Sequence, residues 1–170
     1  NHEVKGYTTS FSNGLYTATD VSFSGKAEAS RTDAGKTAMG LKADQFANTS
    51  KNFTNVEFVV TDGYSKVTKR NVTLTSASDS KTYDGNALTN HTVNADGFVD
   101  GQGATYDVTG TITNVGETDN TFTYTLNDNT NADNYTIKKT EGKLKVTPVT
   151  NKVTVTVTGN TGSVTYDGNN

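Results

Sequence analysis

At 170 residues the chain has room for one large domain or two small ones, because domains commonly run about 50–200 residues. Apolar residues make up 31% of it, against a globular norm of roughly 45–50% with glycine counted, and threonine supplies about a fifth, so one large continuous core is excluded. The net charge is −3 and cysteine is absent, which removes disulfides, thiolate zinc sites and a cysteine nucleophile; with no basic cluster beyond Lys66 to Arg70, nucleic acid has no electrostatic footprint to bind.

In chain order, Asn1 to Tyr7 lack the hydrophobic segment of a signal peptide, and no apolar run approaches the roughly 18 residues of a membrane span. This stretch is expected neither to target nor to insert into a membrane. Asn13-Gly14 is the first of several turn dipeptides, followed by Asp62-Gly63, Asp84-Gly85 and Asp167-Gly168; such pairs supply the positive φ of tight turns and predict strand connectors. Leu41 to Ala47 is the one stretch that invites a helix, of about two turns. Thr121 to Leu126 places Phe122, Tyr124 and Leu126 on one face and Thr121, Thr123 and Thr125 on the other, the period of two of a half-buried strand. Lys152 to Val157 alternates in the same way. The expected class is mainly β: two tandem β-grasp-like or Ig-like modules with antiparallel or mixed sheets and at most one short helix near 41–47. Inward faces are expected to bury Phe23, Leu41, Phe53, Phe58 and Val60 in one half, and Leu74, Ile112, Phe122, Tyr124, Leu126, Tyr135 and Val146 in the other.

An internal repeat organises these elements. Thr82-Tyr83-Asp84-Gly85-Asn86 recurs as Thr165-Tyr166-Asp167-Gly168-Asn169, and upstream of it Val72-Thr73-Leu74-Thr75 answers Val155-Thr156-Val157-Thr158. A second alignment joins the halves. Phe23 to Glu28 matches Val108 to Thr113, Asp33-Ala34-Gly35 matches Asn114-Val115-Gly116, Asn52-Phe53-Thr54 matches Asn134-Tyr135-Thr136, and Thr61 to Thr68 matches Thr140 to Thr147. Pro148, which cannot donate to a β ladder, marks a boundary. The divisions expected are residues 1–70 as a first β repeat without its leading strand pair, 71–150 as a complete second repeat, and 151–170 as the leading strand pair of a further one. On this reading the sequence is a piece of a longer array, cut inside the repeat.

The order of these motifs, Thr-Tyr-Asp-Gly, then a glycine-bearing middle, then Asn-Tyr or Asn-Phe before the last strands, resembles the YDG and mostly-β-grasp (MBG) tandem repeats of large bacterial cell-surface adhesins. The resemblance spans nearly the whole chain. It implies a secreted, extracellular structural protein held at the cell wall through a region outside this sequence, and it brings no catalytic residues. The longer middle of the first copy, Lys42 to Lys51, departs from the pattern.

The residues themselves point away from an enzyme. A hydrolase needs paired carboxylates, or a nucleophile beside its base, whereas the acidic residues here sit mostly in turns, where Asp holds the backbone. No cofactor and no metal site is expected: His2 and His91 are not at equivalent repeat positions and have no spaced ligands. Tyr83 and Tyr166 are expected to cover an apolar face while Asp84 and Asp167 hold turns closed by Gly85 and Gly168; a sugar-stacking platform is the functional alternative for the two tyrosines. The loop Asn127 to Asn134, with Asp128 and Asp133, carries oxygen ligands of the kind calcium uses but lacks the EF-hand spacing, so a polar loop competes with a calcium site. Lys26, Lys36, Lys81 and Lys143 lie in or near strands where an isopeptide bond could form, with no triad legible from spacing. The function expected is a stalk that projects a binding region, its partners being neighbouring repeats. The alternative is a module that itself binds host glycan or mucin. Residues 153–170 are expected to dock by strand addition onto a first module, with head-to-tail self-association as the result.

Overall fold

A computed structural model describes residues 1–168; Asn169 of the second Thr-Tyr-Asp-Gly-Asn motif and Asn170 of the segment 151–170 lie outside the described residues. The chain is mainly β, with 38% in strands and, among the described residues, three one-turn 3-10 segments for helix. The stretch expected to be helical is one of these, Ala43–Gln45, after which Phe46 enters a strand. The pairing of Phe46 with Phe23 across the strand that follows overrides the local helix preference. A sheet wrapped around a helix, as in a β-grasp, is therefore missing among the described residues.

Among the described residues fourteen strands form, in two sets. The first set is β1 (His2–Lys5), β2 (Val21–Phe23), β3 (Glu28–Arg31), β4 (Gly35–Ala38), β5 (Phe46–Asn48) and β6 (Tyr64–Val67). These make three two-stranded antiparallel sheets, β1-β3, β2-β5 and β4-β6. The second set is β7 (Arg70–Ser76), β8 (Asp79–Thr82), β9 (Val93–Asp96), β10 (Ala104–Val108), β11 (Gly116–Asp119), β12 (Phe122–Leu126), β13 (Tyr135–Thr140) and β14 (Lys143–Thr147). Here β10 pairs with β12, while two mixed sheets take the orders β13-β7-β9 and β11-β14-β8.

The two sets share pairings. Phe23 faces Phe46 across β2-β5 as Val108 faces Phe122 across β10-β12. Gly35 faces Val67 across β4-β6 as Gly116 faces Val146 across β11-β14. Both glycines have positive φ, 140° and 152°, a region that side chains avoid, so each sequence keeps a glycine where the strand begins. Just beyond, the Met39 amide donates to Gly63 O at 2.9 Å and the Asn120 amide donates to Gly142 O at 2.8 Å.

What the second set adds is the consecutive pair β7 and β8, which runs parallel to the consecutive pair β13 and β14. Both pairs bend from one sheet into the other at Ala77-Ser78 and at Glu141-Gly142. A buried polar clip holds the corner. The Ser76 hydroxyl donates to Asn120 O (2.6 Å) and accepts from the Gly142 amide (2.9 Å), and the Asn120 side-chain amide donates to Ala77 O (2.9 Å) and Asn90 O (2.8 Å). Asn120 is fully buried, and its Oδ1 has no hydrogen-bond partner because it lies against the backbone of Gly110, where any side chain would collide with it. A side chain at Gly142 would likewise strike Ser76 O and Ala77 O.

Two apolar clusters lie on either side of that corner. One joins Val72, Leu74, Val108, Phe122 and Tyr135; the other joins Leu88, Leu144 and Val146, with Ile112 packed against it. Each fully buried aliphatic or aromatic side chain of this kind contributes about 1.5–3 kcal/mol of transfer free energy. Leu74, Phe122, Tyr135 and Val146 are buried as the alternation predicts, and so is Leu41 in the first set. Ile112 and Leu126 are only half-buried, as are Phe23, Phe53, Phe58 and Val60. Tyr124, expected inside, is 37% exposed. It shares a face with Phe122, but the covering cluster ends at Val108 and Tyr106.

Three further expectations are corrected. Lys152 to Val157 forms no strand, and residues 151–168 are exposed throughout, so the segment does not dock within its own chain. Of the Asx-Gly pairs, Gly14 and Gly63 lack the expected positive φ while Gly85 and Gly168 have it, and Asp84-Gly85 connects β8 to β9, which pairs with β7 and not with β8. Tyr83 and Tyr166, expected to cover an apolar face, are 41% and 89% exposed, and neither belongs to an apolar cluster.

Candidate functional site

In the second set β7 is the central strand of its sheet, between β13 and β9. Val72 and Leu74 on its inner face are 1% and 0% exposed and rest on Val108, Phe122 and Tyr135. The first set holds the corresponding place open. A cleft of about 730 Å³ lies there, lined by residues 7–13 and 55–61 together with Val21, Leu41, Phe46 and Phe53. The stretch 55–61 follows Phe53, the counterpart of Tyr135, and it alternates Val56, Phe58 and Val60, which are half-buried, with Glu57 and Val59, which are exposed. It has an alternating pattern yet forms no strand, because β13 owes its ladder to β7 and among the described residues no strand pairs with 55–61.

Aromatic rings close part of the gap. Phe23 stacks on Phe46 (4.8 Å between centroids), Tyr7 meets both edge-on (5.0 and 5.2 Å), Phe58 stacks on Phe46 at 6.0 Å, and Tyr16 meets Phe53 edge-on at 5.1 Å. Such pairs contribute about 0.5–1.5 kcal/mol each beyond burial. The Tyr16 hydroxyl donates to Asp20 O or Asn48 Oδ1, each 3.0 Å away, and partial burial raises its pKa, with Asp20 adding to the shift. Neither Tyr16 nor the cleft itself is legible from strand alternation; the aromatic density of residues 7–58 is the signal that points to them.

The residues singled out from sequence fall elsewhere. Asp84 Oδ1 accepts from Lys81 Nζ (2.7 Å) and the Asn86 amide (3.0 Å), and these two contacts hold its carboxyl below the ordinary range, Lys81 contributing most. Gly85 has φ 81° and Gly168 has φ 84°, so the glycine of each Tyr-Asp-Gly copy takes the left-handed backbone that side chains avoid. In the first of them the turn delivers Leu88 to a bridge with Ile112 and to the second cluster. Asp128 and Asp133 are exposed, and the polar side chains of their loop are spent on the fold: Thr130 Oγ1 accepts from the Gly103 amide, Asn129 donates to Gly101 O, and Asn131 caps the Asp133 amide. Among the described residues no three of His, Cys, Asp or Glu gather as a metal would require. His2 and His91 are exposed. Of the four lysines, Lys26, Lys81 and Lys143 pair with Glu28, Asp84 and Asp119, and Lys36 lies over the Tyr64 ring at 3.9 Å.

One contact joins the two strand sets through equivalent motifs. Asn134 Oδ1 accepts from the Ala34 amide at 2.6 Å, and its amide donates to Asp33 Oδ1 at 2.7 Å. The matching turn of the second set, Asn114-Val115, and the matching Asn52 of the first are both exposed. No family model, no curated protein and no solved structure matches the chain. The resemblance to YDG and MBG repeats accordingly rests on the order of its motifs alone.

Proposed function

We propose that the chain is a non-catalytic stretch of repeats from an extracellular bacterial surface adhesin, acting as a stalk that projects a binding region and anchored through a part of the protein outside this sequence. The observation that carries the reading is the Asp33-Ala34 to Asn134 contact. It is heterologous, the turn of one repeat on the asparagine of the next, and both halves of it recur in exposed positions, so it can be repeated along a row of modules without closing. Stability in such a row arises within each unit and at each junction, which suits thin cores and a chain without disulfides. Placing this sequence between a heterologous binding head and a wall anchor should restore ligand capture to a head that fails when set directly at the wall. No restoration would contradict a spacer. The second reading, a glycan or mucin-binding module, is favoured by Tyr7 and Phe11, which stand 43% and 37% exposed at the cleft; a glycan array read above background would favour it over the stalk.

A further inference from the structure

We infer that the open cleft of the first strand set is an acceptor for residues 153–165 of a second copy of this chain, which enter it as the strand pair that the second set already possesses. This is independent of any role at a cell surface.

The complete set shows what fills the place. There β7 lies parallel to β13 with Val72 and Leu74 pointing into the core, and β8 lies parallel to β14. In the repeat alignment Val155 and Val157 stand at the positions of Val72 and Leu74, and Ser163-Val164-Thr165 stands at Ser80-Lys81-Thr82. The donor is available: Val153, Val155, Val157 and Val164 are 80%, 77%, 87% and 91% exposed, a row of apolar side chains that soluble proteins seldom leave to solvent. The acceptor matches it in shape. Residues 7–13 and 55–61 line the cleft and fall in chain order where β9 and β13 fall, the first ahead of β2 as β9 is ahead of β10 and the second after Phe53 as β13 begins at Tyr135, and β6 is hydrogen-bonded to β4 on one side only, which leaves an edge for 163–165 where β14 has β8.

Main-chain bonds would fix the added strands, and the alternating valines would set their register. The segment and the cleft belong to opposite ends of the two strand sets, so each copy would donate to one neighbour and accept from another. Such an interface does not close on itself and extends as a chain of molecules. The inserted pair differs from β7 and β8 at one point: Gly159 stands where Ser76 clips the corner, so the exchanged strand holds less firmly than the built-in one and should come and go with concentration.

Sedimentation equilibrium of the full 170-residue chain, from micromolar to near-millimolar, tests this against the double variant V155D/V157D. These side chains are solvent-exposed in the monomer, so the variant should melt as the parent does at low concentration. The parent's weight-average mass is expected to rise past twice 18.1 kDa without a plateau, and the variant to stay at the monomer mass. A peptide of residues 151–166 added in excess to the variant should raise its melting temperature by several degrees, since a ligand of the folded state alone must stabilise it, whereas the same peptide with both aspartates should not. A parent that remains monomeric overturns the second copy as occupant, even if the peptide binds. A peptide without effect overturns the acceptor cleft.

Discussion

The half of the chain that holds β1 to β6 and the half that holds β7 to β14 are built on the same pairs, with Gly35 and Gly116 at the same turn into the same ladder. They differ in what lies beside the third pair of segments. With β7 in place, Tyr135–Thr140 is a six-residue strand and eight apolar side chains are buried: Val72, Leu74, Leu88, Val108, Phe122, Tyr135, Leu144 and Val146. Without it, residues 53–61 stay irregular despite their alternation, and the buried apolar residues are Tyr16, Ala29 and Leu41. A strand is thus a property of a neighbourhood, and β-propensity expresses the fit to a pleated, half-covered surface.

The largest expected break in the comparison is at the facing aromatic pair. Phe122→Ala, at a side chain 1% exposed, should cost about 3–5 kcal/mol in chemical denaturation. Phe46→Ala, at the matching but half-buried position, should cost clearly less, because the open cleft lets water and neighbouring rings fill the space. Equal losses would mean that the first half is packed as tightly as the second.

A smaller effect separates the turns by acid. The Asp84 carboxyl is held low by Lys81 and the Asn86 amide, and Asp20 is held low chiefly by the Thr17 amide. A depressed folded pKa gives stability that is present above the unfolded value of about 3.9 and is lost as pH falls through the folded value. Asp84→Asn and Asp20→Asn should therefore each lower the melting temperature at neutral pH, and the gap to the parent should shrink below about pH 3.9 and vanish in stronger acid. A gap that persists in strong acid would assign the loss to something other than the charge.

Much of this was legible in the residues. Alternation marks Leu74, Phe122, Tyr135 and Val146, and the matched glycines mark the turns. Burial of Tyr124 is not legible in that way, because alternation gives the face of a strand and not how far the covering layer reaches along it. Leu88 follows a Tyr-Asp-Gly turn in an otherwise polar stretch, with no periodic signal of its own. The Ser76–Asn120–Gly142 clip joins residues far apart in sequence, and small polar residues in a chain rich in them carry no mark of burial. The cleft is legible only as an absence: the strand pair β7 and β8 that opens the second half has no counterpart in residues 1–67.

Native-state hydrogen exchange on dilute, monomeric protein tests most directly whether the halves are one module with and without its strand pair. Amides of Arg70–Ser76 and Tyr135–Thr140 should exchange slowly, while those of 53–61 and 153–165 should exchange nearly as fast as an unstructured chain. Protection of 53–61 equal to that of Tyr135–Thr140 under the same conditions would contradict the account.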